Sequence, residues 1–226
     1  MKRREFIKGL IGGAIGSAIF TSTPSLSETP AESLEKKGDK SAERRRNRFP
    51  NVLLTTHGGK EVRFYDDLVK DKIVLINMMY TRCQDGLCLP TTANLARLQG
   101  YLGDRMGRDI YIYSITLDPE YDTPTVLKKY AENFDVKPGW YFLTGNRFDI
   151  DNLRKKLGYA WADPVKDKDR TQHTGMIRFG IEPLDLWGAC PSMTKPKWIA
   201  RYVSWLEPAG GRSLWLRKKR LVAERD

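Results

Sequence analysis

The feature that most constrains the fold is a nearly continuous apolar run of strand length, Lys72–Met79. A half-buried strand alternates apolar and polar residues, whereas an unbroken run is typical of a strand covered on both faces. Ile110–Leu117 is a second strand of this kind and Trp140–Leu143 is a third. Strands buried on both faces belong in a parallel sheet whose connections are helices, so the sequence predicts alternating strands and helices.

The segments around these strands agree with that interpretation. Three helices are predicted between and after them: Thr91–Leu102, Thr123–Phe134 and Asp149–Leu157. The second of these helices has a cap and an initial proline in Asp122-Thr123-Pro124. Two antiparallel strand pairs and a last helix complete the pattern: Val52–Thr55 with Glu61–Tyr65, Gly175–Phe179 with Leu184–Trp187, and Lys197–Leu206.

The order of these elements predicts one α/β domain over residues 49–206, with a central mixed β-sheet flanked by helices. This is a thioredoxin-like arrangement. In such a sheet the carboxyl ends of the parallel strands open a crevice, and functional groups gather there. Cys83 and Cys88 lie where the first buried strand runs into the first helix, so we expect the functional site at that junction.

The N-terminus resembles a twin-arginine export signal. Arg3-Arg4 is followed by Phe6 and Lys8, and then by the apolar stretch Gly9–Phe20. That stretch is shorter than the roughly 20 residues of a membrane-spanning helix but suits a signal peptide. Residues 1–27 are therefore expected to direct export to the periplasm or the extracytoplasmic face of the membrane, where disulfides persist. Removal of the signal and its retention as an anchor are both open.

The net charge of +11 lies mostly at the two ends of the chain. Residues 28–48 are expected to form a linker and residues 207–226 a basic C-terminal tail, with runs at Arg44–Arg48 and Arg217–Arg220. Such runs are typical of solvated ends, and contact with an anionic membrane surface or an acidic partner is the alternative. Nucleic acid is not expected as a partner, because the core contains no binding motif of that kind.

The cysteines lie in the stretch YTRCQDGLCLP, Tyr80–Pro90. Five residues along a regular helix would turn the two side chains about 140° apart, so the intervening residues must form a loop, with Gly86 free to adopt positive φ. Pro90 suits the first turn of the helix that follows, and a thiol at that helix start would be the more acidic one, which favours Cys88. A disulfide, a soft-metal site and two packed core cysteines all remain open.

A third ligand has to come from elsewhere, and the sequence contains two histidines. His57 lies in a turn and is expected to be a surface loop residue. His173 immediately precedes the predicted strand Gly175–Phe179, a position that abuts the cysteine loop in a thioredoxin-like sheet. Two thiolates and an imidazole suit Cu(I), and can hold Cu(II) with added ligands.

Over residues 49–206 the sequence resembles the Sco/SenC family of copper-binding, thioredoxin-like proteins. Three blocks carry the resemblance: Tyr80–Cys83 with Cys88, Ser114–Phe134 with Tyr141–Gly145, and His173-Thr174. Within the middle block, the pattern SxxxDPExDTP is not a general thioredoxin feature.

The resemblance implies that Cys83, Cys88 and His173 bind copper, as Cu(I) or Cu(II). It implies a metallochaperone that helps assemble the CuA centre of cytochrome c oxidase, with an oxidase subunit or another exported copper or thiol protein as its partner. Some family members reduce disulfides, so a thiol–disulfide oxidoreductase with Cys83 and Cys88 as its catalytic redox pair is the alternative. Asp118 is expected to support the ligands or to cap the following turn.

The chain departs from the family pattern in the cysteine loop. Four residues separate the cysteines instead of three, and Leu89 stands where the family has proline, with Pro90 one position later. The longer loop is expected to have one of three consequences: a looser metal site, a changed metal preference, or disulfide chemistry. The remaining cysteine, Cys190, is expected to be a buried core residue, although a Cys₃His zinc site with the other three ligands is a further alternative.

Overall fold

The structure, a computed structural model, describes residues 40–84, 86–169 and 174–207. Its seven strands are β1 (Leu53–Thr56), β2 (Glu61–Arg63), β3 (Ile73–Met79), β4 (Ile110–Thr116), β5 (Trp140–Gly145), β6 (Met176–Ile181) and β7 (Leu186–Pro191). Its helices are α1 (residues 40–46), α2 (Cys88–Leu102), α3 (Pro124–Glu132), α4 (Arg147–Lys156), α5 (Pro164–Lys168) and α6 (Pro196–Leu206). Among these helices, none is both long and apolar enough to cross a membrane.

The strands form one mixed sheet in the order β2-β1-β5-β4-β3-β6-β7. β3, β4 and β5 are parallel, and the remaining pairs are antiparallel. Every residue of β3 is buried, because that strand lies between β4 and β6 and is covered on both faces. The predicted α/β architecture with a central mixed sheet is therefore confirmed.

The register of the sheet defines two poles. Met79 and Thr116 pair at the carboxyl ends of β3 and β4, which is the pole that carries the cysteine loop. Ile73 pairs with Ile181 at the opposite pole. The end of α6 also lies near that opposite pole, because the Arg105 side chain that follows α2 binds Glu207.

The boundary predicted between linker and domain differs from the one in the structure. In the described residues, α1 occupies positions that the prediction assigned to the linker. The basic run there is not simply solvated, since Arg45 binds the buried carboxylate of Glu182 at 3.2 Å and Arg48 donates two hydrogen bonds to Asp185, at 2.6 and 2.7 Å. Opposite charges on the turn after β6 therefore hold this segment against the domain.

Two predicted strands have different bounds for local reasons. β2 ends at Arg63 because the side-chain Oδ1 of Asn51 accepts hydrogen bonds from the backbone N–H groups of Tyr65 and Asp66, and a π-helical turn follows. β7 begins at Leu186 instead of Leu184 because a 3₁₀ turn, closed by Asp185 at φ 53°, intervenes. The short helix α5 has no counterpart in the prediction. The predicted signal segment and the tail beyond Glu207 lie outside the described residues.

Candidate metal centre

The two cysteines converge at the start of α2. Cys88 is the first residue of the helix and is 2% exposed, whereas Cys83 lies half-buried in the preceding loop. The backbone N–H of Cys88 donates to the sulfur of Cys83 at 3.4 Å. This confirms that a loop separates the cysteines. It also shows that the helix start presents its N–H to Cys83, an interaction that is strongest for a thiolate.

The loop has the backbone that the sequence predicts. Gly86 adopts φ +74°, a left-handed conformation that costs other residues free energy, and Pro90 lies in the first turn of α2. A side chain added at Gly86 would meet no heavy atom of the described residues within 4 Å, so conformation and not space requires the glycine.

A buried carboxylate holds the residues that lead into the loop. Asp122 is 0% exposed and accepts hydrogen bonds from the backbone N–H of Thr81 at 3.1 Å and from its hydroxyl at 2.5 Å. It also accepts a hydrogen bond from the Thr116 hydroxyl at the end of β4, at 2.5 Å. The helix cap predicted at Asp122-Thr123 is supplied by Thr123 alone, because the Asp122 carboxylate points to the cysteine loop.

Arg82 provides a second attachment, immediately before Cys83. Its guanidinium donates to Asp118 at 2.6 Å and lies 3.9 Å from the centre of the Tyr121 ring. Asp118 therefore supports the cysteine loop through Arg82. The sequence interpretation singled out Asp118 but missed the roles of Arg82, Asp122 and Tyr121. The dense run of polar residues in Asp118–Asp122 was the available signal.

The start of β6 packs against the start of α2. A β-carbon at Gly175 would lie 2.6 Å from the Leu87 side chain, so the two segments are in close contact. Ser192 reinforces this contact, since its N–H donates to the Gly175 carbonyl and its hydroxyl bonds the Thr91 hydroxyl, both at 2.8 Å. His173 precedes Gly175 by two residues and itself lies outside the described residues.

Helix α3 also lies near the cysteine pair. The Tyr130 hydroxyl of α3 is 3.1 Å from the Thr92 hydroxyl, within the first turns of α2. Burial, with a smaller effect of the nearby Cys88 and Cys83, raises the pKa of Tyr130 to about 12. The phenol therefore stays neutral near the cysteine pair.

Cys190 and His57 have partners and surroundings of their own. Cys190 in β7 is 4% exposed, and burial raises its pKa to about 11, so it is a neutral thiol at physiological pH. Across the described ranges, no three Cys, His, Asp or Glu side chains are grouped to hold a metal ion, so Cys190 does not join Cys83 and Cys88. His57 is in the predicted turn, where its Nδ1 accepts from the Phe142 N–H at 3.1 Å and burial lowers its pKa.

Taken together, the fold and the loop define a thioredoxin-like protein with a cysteine pair at the β3–α2 junction. The SCO1/SenC family model matches residues 42–183, which is more than half of the chain. The protein belongs to the SCO1/SenC family.

Known relatives agree with this assignment. A SCO1 protein homolog of Bacillus subtilis is 32% identical over 117 residues, covering 51% of this chain and 58% of that protein. The mitochondrial SCO1 homolog of Homo sapiens is 28% identical over 188 residues, covering 77% and 58%. The chain spans about half the length of the curated relatives it matches.

A solved structure also matches. ScoI of Bradyrhizobium japonicum, determined with copper bound, is 26% identical to this chain and covers 70% of it, with 98% of ScoI covered and a TM-score of 0.57. The likeness confirms the predicted thioredoxin-like fold.

Proposed function

We propose that this protein is an extracytoplasmic copper metallochaperone that assists assembly of a copper centre of the CuA type in cytochrome c oxidase. Copper is its cargo, and Cys83, Cys88 and His173 are its proposed ligands. The observation that carries the proposal is the convergence of both cysteines at the start of α2, with the Cys88 N–H on the sulfur of Cys83. Two thiolates held in this way form a soft site that prefers copper in its Cu(I) state.

The surroundings of the pair support a prepared binding site. Asp122 holds Thr81 and Asp118 holds Arg82, so hydrogen bonds within the protein position the residues on the strand side of Cys83. A ligand set that is ordered before binding loses less conformational freedom when it binds. The contact between Gly175 and Leu87 brings the chain two residues after His173 beside the loop, which supports an imidazole as the third donor.

Family membership supports the choice of cargo and destination. The copper-bound ScoI structure shows that a relative of this fold binds the metal. The acceptor proposed here is an oxidase subunit or another exported copper or thiol protein. The resemblance of the N-terminus to a twin-arginine signal supports an extracytoplasmic location for the proposed transfer.

Copper binding by ligand variants tests the proposal. The reduced full-length chain is expected to bind one copper, measured for Cu(I) by competition with a coloured chelator and for Cu(II) by visible and paramagnetic resonance spectra. His173→Ala should weaken Cu(II) binding at least about tenfold, because the site loses its nitrogen donor. His57→Ala is the matched control and should bind as the wild type does. Unchanged Cu(II) spectra and affinity in His173→Ala would refute the ligand assignment.

A thiol–disulfide oxidoreductase is the second candidate, favoured by the unequal burial of the two cysteines. The half-buried Cys83 thiolate would attack a partner disulfide, forming a mixed disulfide and releasing one partner thiolate. The buried Cys88 would then attack the Cys83 sulfur, forming the Cys83–Cys88 disulfide and releasing the second partner thiol. Full reducing activity in His173→Ala, together with no copper bound by the wild type, would place this function first.

A further inference from the structure

Helix α6 carries a surface that the proposed copper chemistry does not use. Its buried side holds Ile199 and Val203, which pack the helix onto α2 and β6. On the opposite side lie Trp198, Arg201 and Trp205, spaced three and four residues apart and therefore aligned along the helix. We call these three residues, with Lys197 beside them, the α6 stripe.

The stripe is aromatic, cationic and exposed at once. Trp205 is 60% exposed and Trp198 is 38% exposed. The guanidinium of Arg201 lies between the two indoles, 5.3 Å from the centre of each ring, and the Lys197 ammonium lies 5.8 Å from Trp198. Exposed apolar rings that are grouped on one face mark interaction surfaces, whereas scattered ones are normal.

The stripe is also rigidly attached to the domain. Tyr202 packs against Trp205 with ring centres 5.3 Å apart, and stacks on Phe179 of β6 at 6.3 Å with an angle of 17° between the planes. Ordering of the Trp205 ring on binding would therefore cost little, since Tyr202 connects it to β6.

The segment that carries the stripe has charged side chains of one sign. The sequence from Leu186 to Leu206 contains no aspartate or glutamate, and Glu207 is bound to Arg105. Beyond α6 the sequence continues with the same chemistry in Ser213–Val222, SLWLRKKRLV, where apolar residues flank four consecutive cations. The partner that complements the stripe is therefore a surface that carries negative charge and can also accommodate indole rings.

We propose that the α6 stripe docks on an anionic phospholipid bilayer. Trp198 and Trp205 would lie at the level of the headgroups, the position that tryptophan prefers at membrane interfaces. Lys197 and Arg201 would pair with lipid phosphates, and each such cation strengthens binding to an anionic surface. α6 begins beside Asn94, which donates to the Thr194 carbonyl, and ends beside Arg105, so the stripe runs away from the cysteine pole. The dithiol stays accessible to a partner when the stripe is docked.

Contact quenching tests the location of the surface directly. The full-length chain, carrying Trp215→Phe to remove the tail indole, is mixed with vesicles of phosphatidylcholine containing brominated phosphatidylglycerol. Bromine quenches only indoles that reach the bilayer, so emission should fall. The same chain with Trp198→Phe and Trp205→Phe should lose most of that quenching. Equal quenching with and without these two indoles would overturn the proposal, whatever the N-terminal segment contributes to binding.

Vesicle sedimentation of the full-length chain tests the energetics. Trp198→Ser, Arg201→Ser and Trp205→Ser together should lower partitioning onto vesicles with phosphatidylglycerol at least about tenfold. The matched control replaces two exposed aromatics and one exposed cation elsewhere, Phe148→Ser with Trp161→Ser and Lys128→Ser, and should stay within about twofold of the wild type.

Three results would contradict membrane docking by the stripe. Equal binding to pure phosphatidylcholine would remove the anionic requirement. If vesicle binding is unchanged by the triple substitution but is lost when residues 208–226 are removed, the contact belongs to the tail. If the wild type does not bind vesicles but forms a dimer in solution, and the triple substitution dissociates that dimer, the stripe is the contact with a second copy of the chain. Thermal unfolding of each variant, monitored by circular dichroism, verifies that the fold is intact.

Discussion

The carboxylate of Asp122 accepts hydrogen bonds from both the backbone N–H and the hydroxyl of Thr81, at 3.1 and 2.5 Å. The two residues are 41 positions apart in the sequence. Thr81 precedes Cys83 by two residues, so this pair determines how the chain leaves β3 on its way to the first cysteine. The fully buried Asp122 thereby connects the turn after β4 to the proposed copper ligands.

Removing this carboxylate should destabilise both the fold and the site. Asp122→Ala leaves the buried Thr116 hydroxyl and the two half-buried donors of Thr81 without their acceptor, which is expected to lower the free energy of unfolding by about 2–4 kcal/mol. Copper affinity should fall about tenfold, because the loop is no longer ordered before binding. Urea unfolding and chelator competition measure the two effects. Asp104→Ala, at an exposed position, is the control and should change stability by less than about 0.5 kcal/mol.

Deleting Gly86 should tighten copper binding and slow its transfer to an acceptor. The deletion restores three residues between the cysteines and reduces the freedom of Cys83, while Cys88 stays fixed at the start of α2. We therefore expect Cys83 to be the ligand that opens first during transfer. Chelator competition and stopped-flow transfer measure the change. Loss of copper binding would show that the loop is adapted to its own length.

The Cys190 thiol should be unreactive. Its pKa of about 11 leaves only about one thiol in a thousand as thiolate at pH 8, and burial restricts access further. Iodoacetamide at pH 8 should therefore modify Cys83 long before Cys190, as followed by peptide mass spectrometry of the reduced chain. Cys190→Ser should keep the copper stoichiometry of the wild type. A reduced stoichiometry in that variant would instead support the Cys₃His alternative.

Acid should weaken one ion pair over a defined range. Arg154 donates to both oxygens of Asp167, at 2.6 and 2.9 Å, and lowers the pKa of that carboxyl from 3.8 to about 2. Because the folded pKa is the lower one, the stabilisation is present above about pH 4 and is lost as the pH falls towards 2. Asp167→Asn should cost up to about 2 kcal/mol at pH 7 after allowance for solvent screening, and progressively less below pH 4.

Urea unfolding of wild type and Asp167→Asn at several pH values gives that comparison. Asp104→Asn is the matched control and should follow the wild type throughout. A constant difference between Asp167→Asn and wild type from pH 7 to pH 2 would show that the loss does not come from the titration of Asp167.

Export should depend on the paired arginines. Replacing Arg3 and Arg4 by lysine keeps the charge but removes the twin-arginine pattern, so the protein should stay in the cytoplasm, as measured by cell fractionation. The same conservative change at Arg217 and Arg220 is the control and should leave export intact. Normal export of the first variant would indicate the general secretory route.

Much of the architecture was predictable because it depends on local chemistry. The apolar run of β3 identifies a strand buried on both faces, and the helical spacing of Leu95 and Leu98 identifies the buried face of α2; both predictions are confirmed. Positive φ at Gly86 was likewise predicted and is present. In each case the residue type already limits the conformations available to the backbone.

The sequence by itself determined the alternation of strands and helices, the cysteine pair and its place at the end of β3. Only the tertiary structure decided which distant side chains support that place. Asp122 resembles a helix cap in sequence but accepts from Thr81, and the basic run near Arg45 resembles a solvated linker but binds Glu182. The physical reason is that a charged side chain pairs with whichever opposite charge or donor the packed sheet brings near, and that neighbour is set by topology and not by sequence distance.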